Sequence, residues 1–243
     1  MKVVYHPAYL EDYPTVSCEC PDRILSIYES LKGSFQFAEP EKIHEKDLEM
    51  VHSNPHIQNV KKDSAVFTAA VYAASGAVTT ARLSVQEPAF GLIRPPGHHA
   101  SRNSAWGFCF FNNMALSLKI LKEHSNIENA LILDIDLHFG DGTVNILGDE
   151  PWVTIFNART HDRTAFLAEV EHVLHHRTYD VIGVSAGFDT YTKDWGGILT
   201  TEDYRTTGAL VKKRCETRFA LLEGGYYIPD LGKNVKAFLE GFK

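Results

Sequence analysis

With 243 residues, 44% of them hydrophobic, the chain is large enough to bury a substantial core and suits one α/β domain spanning residues 1–243. Its formal net charge is −7, with no Lys/Arg-rich tail or stripe, which argues against nucleic acid as a partner. No apolar run approaches the roughly 20 residues that cross a bilayer. Met1–His6 turns polar too soon for a secretory signal. Cys18 and Cys20 do not form a CxxC pair, and Cys109 and Cys215 lie in apolar surroundings. Reduced thiols in a cytoplasmic protein without membrane association are the expectation.

Apolar strands alternate with helical segments almost throughout. In chain order the pattern predicts a strand at Lys2–Tyr5, helices at Glu45–His52 and Ser64–Arg82, a strand at Ala89–Ile93 and a helix at Asn112–Glu123. Strands at Ala130–Asp136 and Trp152–Phe156 follow, then a helix at Arg163–His176 and a strand at Asp180–Ser185. A helix at Thr201–Glu216, a strand at Arg218–Leu222 and a helix at Leu231–Leu239 complete the series. Several strands are apolar without interruption, as expected of a mainly parallel sheet covered by helices on both faces. Such sheets place their sites beyond the carboxyl ends of the strands.

Charged residues punctuate two of these strands where burial would otherwise be costly. In Leu131–His138 strand alternation places Asp136 and His138 on one face, and Asp189 ends the run that begins at Val181. Two carboxylates and one imidazole suit a divalent ion, which offsets their desolvation and mutual repulsion. The set leaves a coordination position for water, and Zn²⁺ is the first candidate, with Fe²⁺ a competitor. Asp134, pointing the same way, is placed to orient a histidine, and Asp141 to do so for a neighbouring one. His98 and His99 follow Arg94-Pro95-Pro96-Gly97, a stiff turn that can aim both rings into a cleft. Tyr226, after Gly224-Gly225, offers a positioned hydroxyl.

At these residues the chain resembles the histone deacetylase superfamily, which includes acetylpolyamine amidohydrolases. The similarity rests on Arg94–Ala100, Gly107–Asn113, Asp134–His138, Ser185–Asp189 and Glu223–Tyr226, and extends more weakly from Tyr5 to Leu239. The resemblance implies an arginase/deacetylase-like three-layer α/β fold around a central, mainly parallel sheet. It also implies zinc-dependent removal of acyl groups from amines. On that basis Asp136, His138 and Asp189 are the metal ligands, and His98 and His99 the catalytic pair, with Asp134 and Asp141 as their carboxylate partners. Tyr226 is the transition-state tyrosine. Phe108 lines the acyl-lysine channel with Gly107 and Gly225, and the Asp134 region with Thr154 forms a structural K⁺ site. The chain departs from the family pattern at Cys20-Pro21 and Phe139, and is short at Pro14–Asp22 and Asn157–Arg163. The second stretch lacks a channel-wall aromatic, so an open or partner-completed site is expected in place of a long tunnel.

The reading that follows is hydrolysis of an N-acyl amide, acetyl first, on lysine, a polyamine or a related amine. Alternatives are a ureohydrolase-like guanidino hydrolase and a catalytically weak acyl-amine binding module. The substrate is a small acylated amine or acyl-lysine, and oligomerisation or a protein partner stays open.

Overall fold

The computed structural model describes residues 1–125 and 127–243. Among the described residues seven strands form one sheet: β1 (Lys2–Val4), β2 (Gln36–Ala38), β3 (Ala89–Gly91), β4 (Ala130–Asp134), β5 (Val153–Asn157), β6 (Val181–Ala186) and β7 (Arg218–Leu222). Their order is β2-β1-β3-β7-β6-β4-β5, and every pairing is parallel. All six predicted strands are present. β2 was missed because three residues with a single aromatic carry no readable period.

Every residue of β4, β6 and β7 is buried, which requires cover on both faces. Helices α3 (Ser64–Leu83) and α4 (Asn113–His124) pack on each other and on the sheet. The series α1 (Pro21–Leu31), α8 (Ile228–Phe242), α7 (Thr201–Lys212) and α6 (Arg163–His176) pack one on the next to form the other layer. Shorter helices are α2 (Asn54–Val60) and α5 (Asp141–Leu147). The segment predicted as helix at Glu45–His52 forms a 3₁₀ helix, Glu45–Met50.

The expectation about apolar length needs one correction. α3 is 20 residues long and apolar enough to cross a membrane by length and composition. It is instead a core helix here: 67% of its apolar window is buried, and its alanine-rich face packs on β1, β3 and β7. The Asp63 carboxylate caps its first turn by accepting from the backbone N–H of Ala65 and Val66.

The topology sets the location of the site. The chain leaves β4 outward to β5 and leaves β6 inward to β7, so the strand order reverses between the neighbours β4 and β6. A crevice opens beyond their carboxyl ends at such a switch point. Asp134, the last residue of β4, stands in register with Ser185 of β6 there.

Candidate active site

β4 stops at Asp134, two residues earlier than its apolar run predicts. Strand alternation therefore does not place Asp136 and His138; a hydrogen-bonded loop does. Asp136 N–H donates to Asp134 Oδ1 at 3.1 Å, Leu137 N–H to Asp189 Oδ1 at 3.0 Å, and His138 N–H to Asp136 Oδ1 at 2.9 Å. Carboxylates at the carboxyl ends of two strands thus accept from the backbone that follows β4 and fold it inward.

The result brings Asp136, His138 and Asp189 together, with potential ligand atoms all within 4.8 Å of one another. His138 Nδ1 lies 3.2 Å from Asp136 Oδ1 and 3.1 Å from Asp189 Oδ2. Asp189 Oδ2 is buried and lacks a well-directed hydrogen bond. The Asp136 and Asp189 carboxylates beside it hold the His138 imidazole up at about 10. Burial and the Asp136 charge push Asp189 up to about 7. Burial opposes ionisation of Asp136, but His98 and the hydrogen bonds from His138 and Gly224 hold it below the usual carboxylate range. Gly224 leaves the space this requires: a Cβ there would stand 2.7 Å from Asp136 Oδ2 and 2.9 Å from Asp189 Oδ2. Two buried carboxylates and a converging imidazole fit a divalent cation, which satisfies the orphaned oxygen and relieves the repulsion.

The histidine pair reaches this centre from the turn after β3. His98 Nδ1 donates to Asp134 Oδ2 at 3.0 Å, which leaves Nε2 facing Asp136 Oδ1 at 3.8 Å. His99 Nδ1 donates to Asp141 Oδ1 at 2.7 Å, and Asp141 begins α5. The two rings lie 4.0 Å apart. Burial opposes the charge on His98, but Asp136 and Asp134 prevail and hold it well above its ordinary value. Burial and the neighbouring His98 charge lower His99 to about 4. One imidazole is thus set toward holding a proton and the other against it.

Buried polar groups hold these parts from behind. Glu223 Oε2 accepts from Gly97 N–H at 2.7 Å and His98 N–H at 3.2 Å, and burial pushes this carboxyl up to about 7. Arg23, fully buried on α1, donates through Nε to Gly225 O at 2.6 Å and lies 4.9 Å from the Tyr226 ring centroid. Asp194 Oδ2 accepts from the backbone N–H of Tyr226 at 2.6 Å and of Tyr227 at 2.8 Å. Burial raises the Tyr226 phenol, so it stays a protonated donor.

Over the site lies a pocket of about 90 Å³ lined by His98, His99, Trp106, Gly107, Phe108, Asp136, His138, Trp195, Gly224 and Tyr226, with Pro96. Phe108, at φ 68, meets Tyr226 edge to face at 6.1 Å. Gly225 is not on this wall; its carbonyl turns back to Arg23, and Gly224 faces the pocket instead. Trp106 and Trp195 supply aromatic walls that sequence reading did not find. Trp195 stacks on Tyr226 at 4.1 Å, and Trp106 on His99 at 3.8 Å. Beyond Trp106, Gly107 and Phe108 a groove of about 900 Å³ runs along α2. Thr154 does not belong with Asp134: it pairs in register with Leu131, and its hydroxyl accepts from Arg177. Asn157 is the residue opposite Asp134, and its Oδ1 accepts from Gly140 N–H at 2.8 Å.

The sequence profile of the histone deacetylase domain matches residues 17–169, more than half of the chain, and the chain belongs to that family. Histone deacetylase 18 of Arabidopsis thaliana is 29% identical over 301 aligned positions, covering 93% of this chain and 44% of the relative. A protein described as a probable deacetylase from Methanothermobacter thermautotrophicus is 27% identical, covering 90% of this chain and 82% of its own length. The chain thus spans less than half of the plant relatives it matches. Among solved structures, the HDA15 HD domain superposes with a TM-score of 0.87 at 22% identity, covering 100% of this chain and 90% of that one. An acetylpolyamine aminohydrolase from Burkholderia pseudomallei gives 0.87 at 20% identity, covering 100% and 98%. These two likenesses establish the arginase/deacetylase-like fold expected from the sequence.

Proposed function

We propose that the chain hydrolyses a small N-acyl amide, acetyl first, on lysine, a polyamine or a related amine, as a metal-dependent catalytic unit. The observation that carries this reading is the convergence of the Asp136–His138–Asp189 cluster, both histidine–carboxylate pairs and Tyr226 on one pocket of about 90 Å³. That volume suits a short acyl group. Membership of the family and the likeness to proteins described as deacetylases support the same chemistry.

Asp136, His138 and Asp189 would hold the ion, Zn²⁺ first and Fe²⁺ as the competitor, and the ion supplies Lewis acidity toward a carbonyl oxygen and water. With the Asp136 charge offset by a bound cation, His98 would be freed from the carboxylate that lifts it and could serve as a proton acceptor. His98, oriented by Asp134, takes the proton of the attacking water at Nε2. His99, oriented by Asp141 and with its ring 4.0 Å from that of His98, relays that proton to the leaving amine. Tyr226 donates its hydroxyl proton in a hydrogen bond to the oxygen on which negative charge develops, inside a pocket that limits water. Phe108 and the two tryptophans pack against the substrate, and the groove beyond them leaves room for the rest of the amine. A K⁺ ion near Asp134 is a structural proposal of the same family reading.

The test is one preparation assayed twice. Its metal content is measured by elemental analysis, and its turnover on formyl, acetyl and longer acyl derivatives of lysine peptides and polyamines, with a guanidino substrate alongside. Metal-dependent turnover of short acyl amines is expected. Turnover of the guanidino compound alone would identify a ureohydrolase-like enzyme, and tight acyl-amine binding without turnover a binding module.

A further inference from the structure

Trp106 keeps 55% of its surface exposed, yet its placement is tightly determined. Its ring stacks on His99 with centroids 3.8 Å apart and planes 31° apart. Its indole N–H donates to Asp141 Oδ2 at 2.8 Å, while Asp141 Oδ1 accepts from His99 Nδ1 at 2.7 Å. One carboxylate therefore ties both rings, and the rings touch each other. The following residue closes the gap: a Cβ at Gly107 would lie 2.4 Å from His99 Cδ2.

We propose that Trp106 is a positioning residue for the His99–Asp141 pair, fixing imidazole and carboxylate from the solvent side. The proposal rests on the reading of His99 as a proton-transfer group. The two pairs of the site differ in a way that explains the device. In His98–Asp134 both side chains are enclosed, 4% and 2% exposed, and Asp136 N–H holds the second oxygen of Asp134, so the interior fixes them. In His99–Asp141 the carboxylate is 40% exposed. A half-exposed aspartate rotates over a broad χ2 range, and water competes for its oxygens. An indole N–H on the outer oxygen sets that rotation, and the indole face keeps water from the imidazole. Partners of this kind orient the groups that do chemistry without touching the substrate.

Trp106→Phe keeps an aromatic ring beside His99 and removes the N–H together with one ring of the indole, so the Asp141 background below separates the lost bond from the lost packing. The expected result is a fall in kcat of about 10-fold with KM nearly unchanged, the lower end of what losing such an orienting partner costs. In an Asp141→Ala background, assayed on a trifluoroacetyl amide so that turnover stays measurable, the same substitution should change kcat little, since the group it acts through is gone. An equal fall in both backgrounds, or a rise in KM alone, would overturn the proposal and make Trp106 a substrate contact or a packing residue. A readout independent of activity is the exchange of the His99 Nδ1 proton, followed by NMR on the full chain with labelled imidazoles. Slow exchange is expected in wild type and faster exchange in Trp106→Phe. Should the variant not fold, wild type still decides: a His99 Nδ1 proton exchanging as fast as that of a free imidazole sinks the idea. Absence of turnover on every acyl amine would count against the hydrolase reading, while the exchange measurement would still judge the positioning.

Discussion

Gly224→Ala tests the proposed metal centre without removing any of the three residues proposed to hold the ion. The glycine N–H donates to Asp136 Oδ2 at 2.9 Å, and alanine keeps that bond. Its φ lies outside the left-handed region, so a side chain adds no backbone strain. What changes is space. The new Cβ would stand 2.7 Å from Asp136 Oδ2, 2.9 Å from Asp189 Oδ2 and 3.0 Å from Asp189 Cγ, where ordinary contact begins at 3.4 Å. The shortfalls are 3.4 − 2.7 = 0.7 Å and 3.4 − 2.9 = 0.5 Å. Neither carboxylate is a flexible surface end, because both are buried and tied to the backbone of residues 137 and 138. Ligand distances in protein metal sites hold to within about 0.2 Å, so a displacement several times that size disrupts coordination. We expect divalent-metal affinity to fall on the order of 100-fold, the upper end of the losses seen when ligand orientation is disturbed. Competition titration against a chelator, with circular dichroism and thermal unfolding as folding controls, measures it directly. Wild-type affinity in a folded Gly224→Ala variant would refute the placement of the ion between Asp136 and Asp189.

Tyr226→Phe keeps the ring that stacks on Trp195 and loses only the donor. Steady-state kinetics should show kcat down by about 10²–10³-fold on an acetyl amide, less on a trifluoroacetyl amide, and metal content unchanged; full kcat would reassign the residue to packing. His52 gives a pH prediction away from the metal: its Nε2 accepts from Asn112 N–H at 2.9 Å and its Nδ1 faces Ser101 O at 3.0 Å, so the folded protein holds the neutral ring. Burial and the neighbouring His56 lower it to about 3. The folded value lies below the unfolded value of about 6.5, so the unfolded chain takes up the proton first and stability drains away as pH falls from about 6.5 toward 3. From pH 7 to pH 5 the loss attributable to His52 is about 2 kcal/mol, obtained as the difference between wild type and His52→Gln in urea unfolding. Identical losses in the two proteins would remove His52 as the cause.

The apolar periodicity and the polar residues that interrupt it were legible in the chain itself. Uninterrupted runs at Ala130–Asp134 and Val181–Ala186 announce strands buried on both faces, and acidic residues just beyond them are costly unless something offsets their charge. Asp134, Asp136 and Asp189 stand out for that reason, and the parallel class with its strand-end site follows from the same pattern. Glu223 after the apolar run of β7 carries the same signal. Arg23 was visible as a lone charge in the buried stripe Arg23, Ile24, Ile27, Leu31 of a helix that was not predicted. Folding alone decided the rest. The inward turn of Asp136 and His138 depends on the bond from Leu137 N–H to Asp189 Oδ1, 52 residues away in the chain, and no local spacing encodes that bond. Whether Gly224 or Gly225 faces the pocket, and whether Asn157 or Thr154 stands by Asp134, depends on register and carbonyl direction. Trp106 and Trp195 gain their roles from the rings they meet, and a side chain's partners across the fold are set only when the strands bring them within van der Waals reach.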